Sequence, residues 1–573
     1  MAERGRPALG GGGWRGWWTR IAANPAYRWR IRVPIPERLL IAPQDLRTGD
    51  PTIATEIYSG IFSFAGKVVT AEGHSPFEIQ PPSREWSEVL LGFSWLRHLR
   101  SAGLTLSRQN ARALVADWIS QHGGSHPVSW EPEITARRVI SWLTHSPLIL
   151  QDADHAFYRS FLRSLSRQVR FLRRVYPVAE AGYPRLLIAT ALTFAGLCMA
   201  GEERLLQQSA KRLLQELRRQ ILSDGGHISR NPGALIEILI DLLPLRQTFD
   251  SRNVATPGIL SSAIDRMIPM LRFFRLSDGT IAQFNGMGAT PTDLLAAVLA
   301  YDETRTVPLL DAHHSGYQRL EGGGSVVVAD TGAPPPAALS YEAHAGCLSF
   351  EFSTKRHRIV VNCGMPARNR HGWSEAARAT AAHSTVTWHD TSSCRFKPAR
   401  NGAVLIAEGP RDVRITRGGR EDAVIIRASH NGYTRGFGIV HQRSWRLSPD
   451  GDRLDGEDVF STSSGHEVPP GTEDDYVIRF HLHPSVKASR VNDGRTVLLI
   501  LPGRESWLFT APNMRVELEE SIFLSASEGP RRTSQIVIAD NARTISRVIW
   551  TFARADVPEQ PPRETDADPR LPI

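Results

Sequence analysis

The chain has 573 residues, of which 41% are hydrophobic and 22% are charged, and its formal net charge is +9. This length exceeds what one ordinary hydrophobic core organises, so the sequence predicts two large domains of a soluble globular protein. No P-loop, dinucleotide fingerprint or G-x-S-x-G motif is present, which argues against nucleotide-binding, redox and serine-hydrolase classes.

The basic charge favours an anionic partner, such as nucleic acid, an anionic lipid surface or an acidic polysaccharide. Arginine is abundant, and its planar fork binds carboxylate and sulfate-like groups bidentately. A solvated basic surface without such a partner is the alternative. No helix-turn-helix, RRM or zinc module is recognisable, so no nucleic-acid partner is predicted.

Residues 1–45 form a basic arm in which tryptophans alternate with arginines. No apolar segment with a small-residue cleavage site follows the charges, so no standard signal peptide is predicted. No run approaches the roughly 18 apolar residues of a transmembrane helix, so no transmembrane segment is predicted. We expect a disordered arm or docking segment. Attachment to a membrane surface through Trp14, Trp17, Trp18 and Trp29 is the alternative.

Residues 46–312 show helical periodicity, as in Trp86, Leu90 and Phe93. Glycine and proline punctuate a series of predicted helices, at residues 185–199, 203–222, 235–245, 261–274 and 292–299. Many helices joined by short loops, without a fixed repeat, predict a layered helical toroid or solenoid.

Residues 313–555 change to short alternating strands separated by turn signals. The predicted strands lie at 321–329, 348–352, 358–361, 403–406, 423–426, 477–481, 496–501 and 536–538. This pattern predicts an antiparallel β-sandwich. Residues 556–573 are rich in proline and acidic residues and are predicted to be a disordered tail.

A polar loop, Ser-Asp-Gly-Gly-His-Ile-Ser-Arg-Asn-Pro, separates two apolar helices and contains His227, Arg230 and Asn231. Such a loop at a helix entrance can line a cleft. The alternative is a plain helix connection in which Asn231 caps the helix that starts at Pro232. A similar loop upstream contains Tyr183, for which core packing is the alternative.

Trp130 and Arg138 form a further candidate cluster, because aromatic rings beside guanidinium groups suit sugars that carry carboxylates. A tryptophan in a helical core is the alternative. In the strand-rich half, His344, Asn362 and His383 could together hold zinc, although they lack a compact ligand motif. Arg378 lies in the same segment.

The segment from His344, HAGCLSFEFS, followed by ATAAHSTVT around His383, resembles the C-terminal domain of the heparinase II/III superfamily of polysaccharide lyases. The resemblance implies a multidomain α+β architecture: an N-terminal incomplete (α/α) toroid followed by a C-terminal antiparallel β-sandwich. It also implies an acidic, uronic-acid-containing polysaccharide as partner, and cleavage by β-elimination without a redox or nucleotide cofactor.

β-Elimination removes the proton next to a carboxylate, whose developing charge must be stabilised, and then protonates the leaving oxygen. The resemblance implies Tyr183 or His344 as the base and His227 as acid or neutraliser. Arg230 and Asn231 would bind the substrate carboxylate. Further substrate contacts are expected from Trp130, Arg138, Arg378 and Glu342.

The chain departs from the family pattern at several functional positions. Gly182-Tyr183 stands where many members have Asn-His, and Ala234-Leu235 stands where they have Tyr-His. Glu342, Gly346 and Asn362 replace a histidine and two aspartates, and an amide is a poorer zinc ligand than a carboxylate. Two hypotheses follow: a polysaccharide lyase with a rebuilt catalytic set, or a catalytically silent glycan-binding or envelope-assembly protein. The resemblance implies the cell envelope or periplasm, and the missing signal peptide makes the cytoplasm the alternative. The sequence leaves the oligomeric state open.

Overall fold

The computed structural model describes residues 35–555 except 125, 303–305, 368–370, 400–401, 420–423, 467, 469–474 and 492–493. The acidic tail and most of the predicted arm, including its four tryptophans, lie outside the described residues. The helical region ends at Leu299, and the first strand of the large sheets begins at Asp311. The domain limits at 45, 312 and 555 stay predictions.

The N-terminal half is built from helices joined by short loops. They are α1 (Pro51–Tyr58), α2 (Arg84–Gly92), α3 (Leu96–Ala102), α4 (Thr105–Gln121), α5 (Pro132–Thr144), α6 (Ser146–Leu150), α7 (His155–Val175), α8 (Tyr183–Cys198), α9 (Glu203–Gln220), α10 (Pro232–Ser251), α11 (Gly258–Phe273) and α12 (Thr292–Leu299). Two short helices lie later in the chain, α13 (His371–Ser374) and α14 (Thr434–Phe437).

Local capping and apolar patterning explain these helices. The Asp154 side chain accepts a hydrogen bond from the Phe157 amide at the start of α7, and Asn231 accepts one from Gly233 at the start of α10. Helix α8 is buried on all faces and packs against α5, α9 and α10, as expected of a helix that is apolar all round.

The C-terminal half is built from antiparallel strands. Strands β1 (Ile61–Phe64) and β2 (Lys67–Thr70) form a hairpin in the helical half, and the remaining strands are β3 (Asp311–Ala312), β4 (Tyr317–Gly322), β5 (Ser325–Asp330), β6 (Phe350–Thr354), β7 (His357–Val361), β8 (Val386–Trp388), β9 (Arg395–Pro398), β10 (Val404–Glu408), β11 (Val413–Gly418), β12 (Ile425–Tyr433), β13 (Ile439–Leu447), β14 (Arg453–Thr462), β15 (Asp475–Leu482), β16 (Lys487–Arg490), β17 (Thr496–Ile500), β18 (Ser506–Thr510), β19 (Glu517–Phe523), β20 (Arg531–Asn541) and β21 (Arg547–Arg554).

Two large sheets contain most of these strands. One has the order β11-β12-β13-β14-β21-β18-β17-β16, and the other has the order β19-β20-β15-β7-β6-β5-β4-β3, with β8 also pairing with β15. Strand β13 alternates buried and less buried residues, which is the pattern of a sheet with one face on a core. Phe350 from one sheet stacks on Trp550 from the other at 5.4 Å between ring centroids. The predicted fold class, helices followed by an antiparallel sandwich, is confirmed.

The sandwich core also buries a charged network. Arg443 binds Asp458 through Nε and Nη2 at 2.7 and 3.0 Å, and both side chains are fully buried. His441 Nε2 lies 2.7 Å from the same carboxylate, and the Trp550 indole donates to it at 2.9 Å. A buried ion pair is tolerated only when such hydrogen bonds satisfy its remaining donors and acceptors.

Candidate functional site

The loop that contains His227 connects α9 to α10 and packs against the strand-rich half of the protein. We call the contacts between the two halves around this loop the interdomain joint. The Asp224 carboxylate accepts hydrogen bonds from the Ser315 amide at 2.6 Å and the Ser315 hydroxyl at 2.7 Å. A Cβ at position 226 would lie 1.8 Å from Ser315 Oγ, so only glycine fits there. The predicted cleft-lining loop is therefore packed against the strand-rich half.

Arg230 is the central side chain of the interdomain joint and is 8% exposed. Its guanidinium donates to one buried carboxylate and four backbone carbonyls, namely Asp330 Oδ1 (2.6 Å), Ser315 O (2.8 Å), Gly316 O (2.9 Å), Ala333 O (2.9 Å) and Gly332 O (3.2 Å). Arginine has five N–H donors. All are therefore used within the protein, and none is left for a substrate carboxylate.

His227 is also satisfied internally. Its Nδ1 accepts from the Ser229 amide at 3.2 Å, which places the proton on Nε2, 3.0 Å from Gln220 Oε1. Burial lowers the pKa of His227 to about 4, so the ring is neutral at pH 7. Gln220 Nε2 in turn donates to the carbonyl of Gly182 at 2.9 Å, which ties His227 to the loop before Tyr183.

Tyr183 is half-buried at the start of α8 and lies in a different cluster. Its phenol oxygen accepts from Arg137 Nη2 at 2.5 Å, and Arg137 Nη1 binds Asp241 at 2.7 Å. Arg47 binds the same carboxylate at 3.0 Å. Burial raises the pKa of Tyr183 above its usual value and outweighs the opposing charge of Arg137, so the phenol stays protonated at neutral pH.

The residue before Tyr183 is Gly182, a position at which the family resemblance implies asparagine in many members. Its backbone has φ 90° and ψ −149°, a conformation that glycine alone adopts readily. A Cβ there would lie 2.7 Å from Leu339 Cδ2. Leu339, from the strand-rich half, thus occupies the space that a side chain at position 182 would need.

His344 and His383 form a direct hydrogen bond, with 2.9 Å between His344 Nδ1 and His383 Nε2. His383 Nδ1 lies 2.8 Å from the Ala379 carbonyl, and His344 Nε2 accepts from the Gly286 amide at 3.1 Å. These contacts assign one proton to each ring and use all four ring nitrogens. Burial, the neighbouring His383 and Arg378 lower the pKa of His344, so it stays neutral.

The predicted zinc ligands do not fit a metal. Asn362 Oδ1 accepts from the Ser384 amide at 3.0 Å, while its Nδ2 donates to the Gln283 carbonyl. The lone pairs of His344 and His383 already accept hydrogen bonds. Within the described part of the chain, no three His, Cys, Asp or Glu side chains are grouped so as to hold an ion.

Asn231 and Glu342 lie at the half-exposed rim of the interdomain joint. Asn231 Nδ2 donates to Glu342 Oε2 at 3.1 Å, while Asn231 Oδ1 caps α10. Gly286 fits closely beneath them, since a Cβ there would lie 2.8 Å from Glu342 Cβ. The rim therefore carries one carboxylate and one amide, which suits a hydroxyl-rich ligand better than an anionic one.

The other predicted substrate-binding residues are packed in the interior. Trp130 is 7% exposed and donates to the His122 carbonyl, and Arg138 has no exposed surface and lies over the Trp118 ring at 4.0 Å. Arg378 is 4% exposed and fixes the segment before His344 by donating to three carbonyls, those of Ser340, Ala343 and Val404. These positions give the three side chains no access to a sugar.

Sequence reasoning missed Asp241 and Arg47, which together with Arg137 surround Tyr183 and line a small cavity. The sequence does contain an indication of this cluster, because Asp241 is the one carboxylate in the apolar stretch LIDLLPL of α10. A charged residue in an apolar helix is seldom buried without a partner.

Glu351 is a buried acid of the interdomain joint that was also missed. Its Oε1 accepts from the Asn362 amide at 2.9 Å, and its Oε2 has no hydrogen-bond partner. Burial raises the pKa of Glu351 to about 7. The pKa of a glutamate in the unfolded chain is about 4.3. The stability that protonated Glu351 contributes should therefore be fully present below that pH and be lost as the pH rises through 7.

The Glu351→Gln variant should therefore be more stable than the parent at pH 8, by about 1–3 kcal/mol, and nearly equal at pH 4.5. Urea unfolding at both pH values measures this difference. The matched control is Glu520→Gln on the exposed face of β19, which should change neither value. A pH-independent difference for Glu351→Gln would contradict the predicted ionisation.

Comparison with known proteins agrees with this architecture. A family model described as heparinase II/III-like, C-terminal, matches residues 304–551. FtsZ-localized protein C of Caulobacter vibrioides is 32% identical over 545 residues, which covers 92% of each chain. The chain therefore belongs to the heparinase II/III-like family.

Solved structures extend the likeness in fold. A heparinase III structure matches with a TM-score of 0.71 and 14% identity, covering 94% of this chain and 89% of that one. A mutant of the heparan sulfate lyase HepC from Pedobacter heparinus matches with a TM-score of 0.64 and 15% identity, covering 95% and 88%. The toroid-plus-sandwich fold is thus confirmed. Among the described helices, none combines the length and apolarity that a bilayer crossing requires.

Proposed function

We propose that this protein is a catalytically silent member of its family, which acts in envelope assembly by binding partners rather than by cutting polysaccharide. One observation carries the proposal: three of the residues predicted to act on a uronate, Arg230, His227 and His344, already have their polar atoms bonded inside the protein. Arg230 has all five donors engaged, and both ring nitrogens of His227 and of His344 have partners.

The chemistry of β-elimination explains why this matters. The reaction needs a base with a free lone pair near the proton, and a cation or donor free to bind the carboxylate. His227 and His344 are neutral but have their ring nitrogens engaged and are 3% and 4% exposed. Freeing His344 would break its contact with the Gly286 amide of the helical half, and freeing His227 would break its contacts with Gln220 and Ser229.

The relative from Caulobacter vibrioides supports the cellular part of the proposal, because its name places it with FtsZ. We carry this localisation over to the present chain. A polysaccharide remains the ligand class that the fold favours, and the half-exposed Asn231–Glu342 rim is the part of the predicted site open to its hydroxyl groups.

The full-length protein should release no unsaturated product from a panel of uronic-acid polysaccharides, measured by ultraviolet absorbance with a heparinase III as positive control. A fluorescent fusion should co-localise with FtsZ, and the Tyr183→Phe variant should do the same. Product formation by the parent would overturn the silent assignment, and loss of that product in Tyr183→Phe would identify Tyr183 as the base.

Tyr183 supports a second candidate function, a lyase with a rebuilt site. It is half-buried, and its phenol contacts the guanidinium of Arg137. A tyrosine base beside a cation suits proton removal next to a carboxylate. In that case Tyr183→Phe should lower the rate by roughly 10²–10⁴-fold.

A further inference from the structure

Helix α7 carries an unusual charge distribution on its outer surface. Its 21 residues include no aspartate or glutamate. All six of its arginines are grouped, and we call them the arginine face: Arg159, Arg163, Arg167, Arg170, Arg173 and Arg174. At 100° per residue they fall within a sector of about 120°, opposite the buried residues Phe161, Leu165 and Leu172.

The arginine face is open to solvent. Five of its residues are exposed and Arg170 is half-buried. Arg167 donates to the Gly123 carbonyl and Arg173 to Gln208 Oε1. Burial, together with the charges of Arg174 and Arg173, lowers the pKa of Arg170. Like charges are therefore crowded here.

Internal acidic residues compensate the charges of Arg159, Arg163 and Arg170 only in part. Glu202 acts on Arg170 and Arg173. Among the described carboxylates, none forms an ion pair with Arg159 or Arg163. Keeping Arg159, Arg163 and Arg170 close together with so little counter-charge costs stability, so an external anionic partner would be favoured at these three residues.

The composition of the arginine face selects among anionic partners. The sector contains no exposed aromatic or large aliphatic residue, which a helix lying in a membrane surface would insert. It also lacks the apolar centre of a typical interface with a folded protein. Arginine forks instead fit carboxylates bidentately.

The spacing fits an extended chain. Arg159 and Arg163 are one turn apart, about 6 Å along the helix axis, and Arg170 follows about 10 Å further on. Alternate side chains of an extended peptide are about 6.7 Å apart on one side. Three carboxylates at alternate positions would span about 13 Å, within reach of these three long side chains.

We propose that the arginine face binds an extended acidic segment of a partner protein, with Asp or Glu at alternate positions facing Arg159, Arg163 and Arg170. This surface is separate from the interdomain joint and does not depend on whether the protein is catalytic.

The test uses the full-length protein and a fluorescent eight-residue peptide of alternating glutamate and serine, with binding measured by anisotropy. A triple variant should weaken binding by about tenfold or more; it combines Arg159→Glu, Arg163→Glu and Arg170→Glu. The matched control reverses Lys487, Arg490 and Arg532, which are exposed on strands β16 and β20, and should stay within about twofold.

Parallel measurements use a heparan sulfate oligosaccharide and vesicles of phosphatidylglycerol. The proposal is overturned if the parent does not bind the peptide, if the triple variant binds it equally well, or if the triple variant loses only glycan or vesicle binding. Thermal unfolding checks that both triple variants are folded, and the single variant Arg163→Glu provides a milder change that should weaken peptide binding in the same direction.

Discussion

Replacing Arg230 with alanine should lower the free energy of unfolding by about 3–5 kcal/mol, one of the two largest effects expected for a single substitution in this protein. The change leaves Asp330 buried without its charged partner and removes the donors of four backbone carbonyls. An unsatisfied buried polar group costs about 1–3 kcal/mol, so the losses accumulate. Because Arg230 connects the helical half to the strand-rich half, unfolding should also become less cooperative.

Urea unfolding at pH 7, followed by circular dichroism, measures this effect. Arg230→Lys should recover little, because one ammonium group cannot replace a five-donor fork. The matched control is Arg204→Ala, an exposed position on α9 that should change stability by less than about 0.5 kcal/mol. A loss below about 1 kcal/mol for Arg230→Ala would show that the interdomain joint does not depend on this side chain.

Replacing Arg443 with methionine should destabilise the protein by a similar amount, about 3–5 kcal/mol at pH 7. Burial raises the pKa of Asp458, but the charge of Arg443 and the hydrogen bond to His441 outweigh it and hold that pKa far below its usual value. The stabilisation is therefore present above the unfolded-state pKa of about 3.9 and is lost as the pH falls through the folded-state pKa. Without Arg443, Asp458 keeps its hydrogen bonds to His441 and Trp550 but becomes a buried charge without its arginine cation at neutral pH.

Thermal unfolding as a function of pH tests this expectation. The destabilisation by Arg443→Met should shrink as the pH falls, because a protonated Asp458 no longer needs a cation. The double variant Arg443→Met with Asp458→Asn should be more stable than Arg443→Met alone, since a neutral amide costs less to bury. Equal stability of the single and double variants would contradict a charged Asp458 in the parent.

The order of the two halves could be predicted from the sequence because it depends on local patterns. Helical periodicity around Trp86, Leu90 and Phe93 and strand alternation after residue 313 are properties of neighbouring residues. The prediction that Asn231 caps a helix also depended only on neighbouring residues, and the structure confirms it. Proline at the first helical position strengthened it.

The roles of the polar side chains could not be predicted in the same way. Arg230 is satisfied by carbonyls 85 to 103 residues away, and no local pattern indicates that these groups will meet. The pairing of His344 with His383 depends likewise on two loops meeting in the folded chain. The sequence pattern of a polar loop between apolar helices therefore does not distinguish a loop that lines a cleft from one that packs against a second domain.

The conformation of Gly182 bears on how this protein could change over evolutionary time. A single codon change that introduced a larger side chain at this position would meet both the unfavourable backbone angles and the Leu339 methyl group. A larger residue at this position would thus require a compensating change at Leu339, on the other side of the interdomain joint. Substitutions that arise one at a time should therefore retain glycine here.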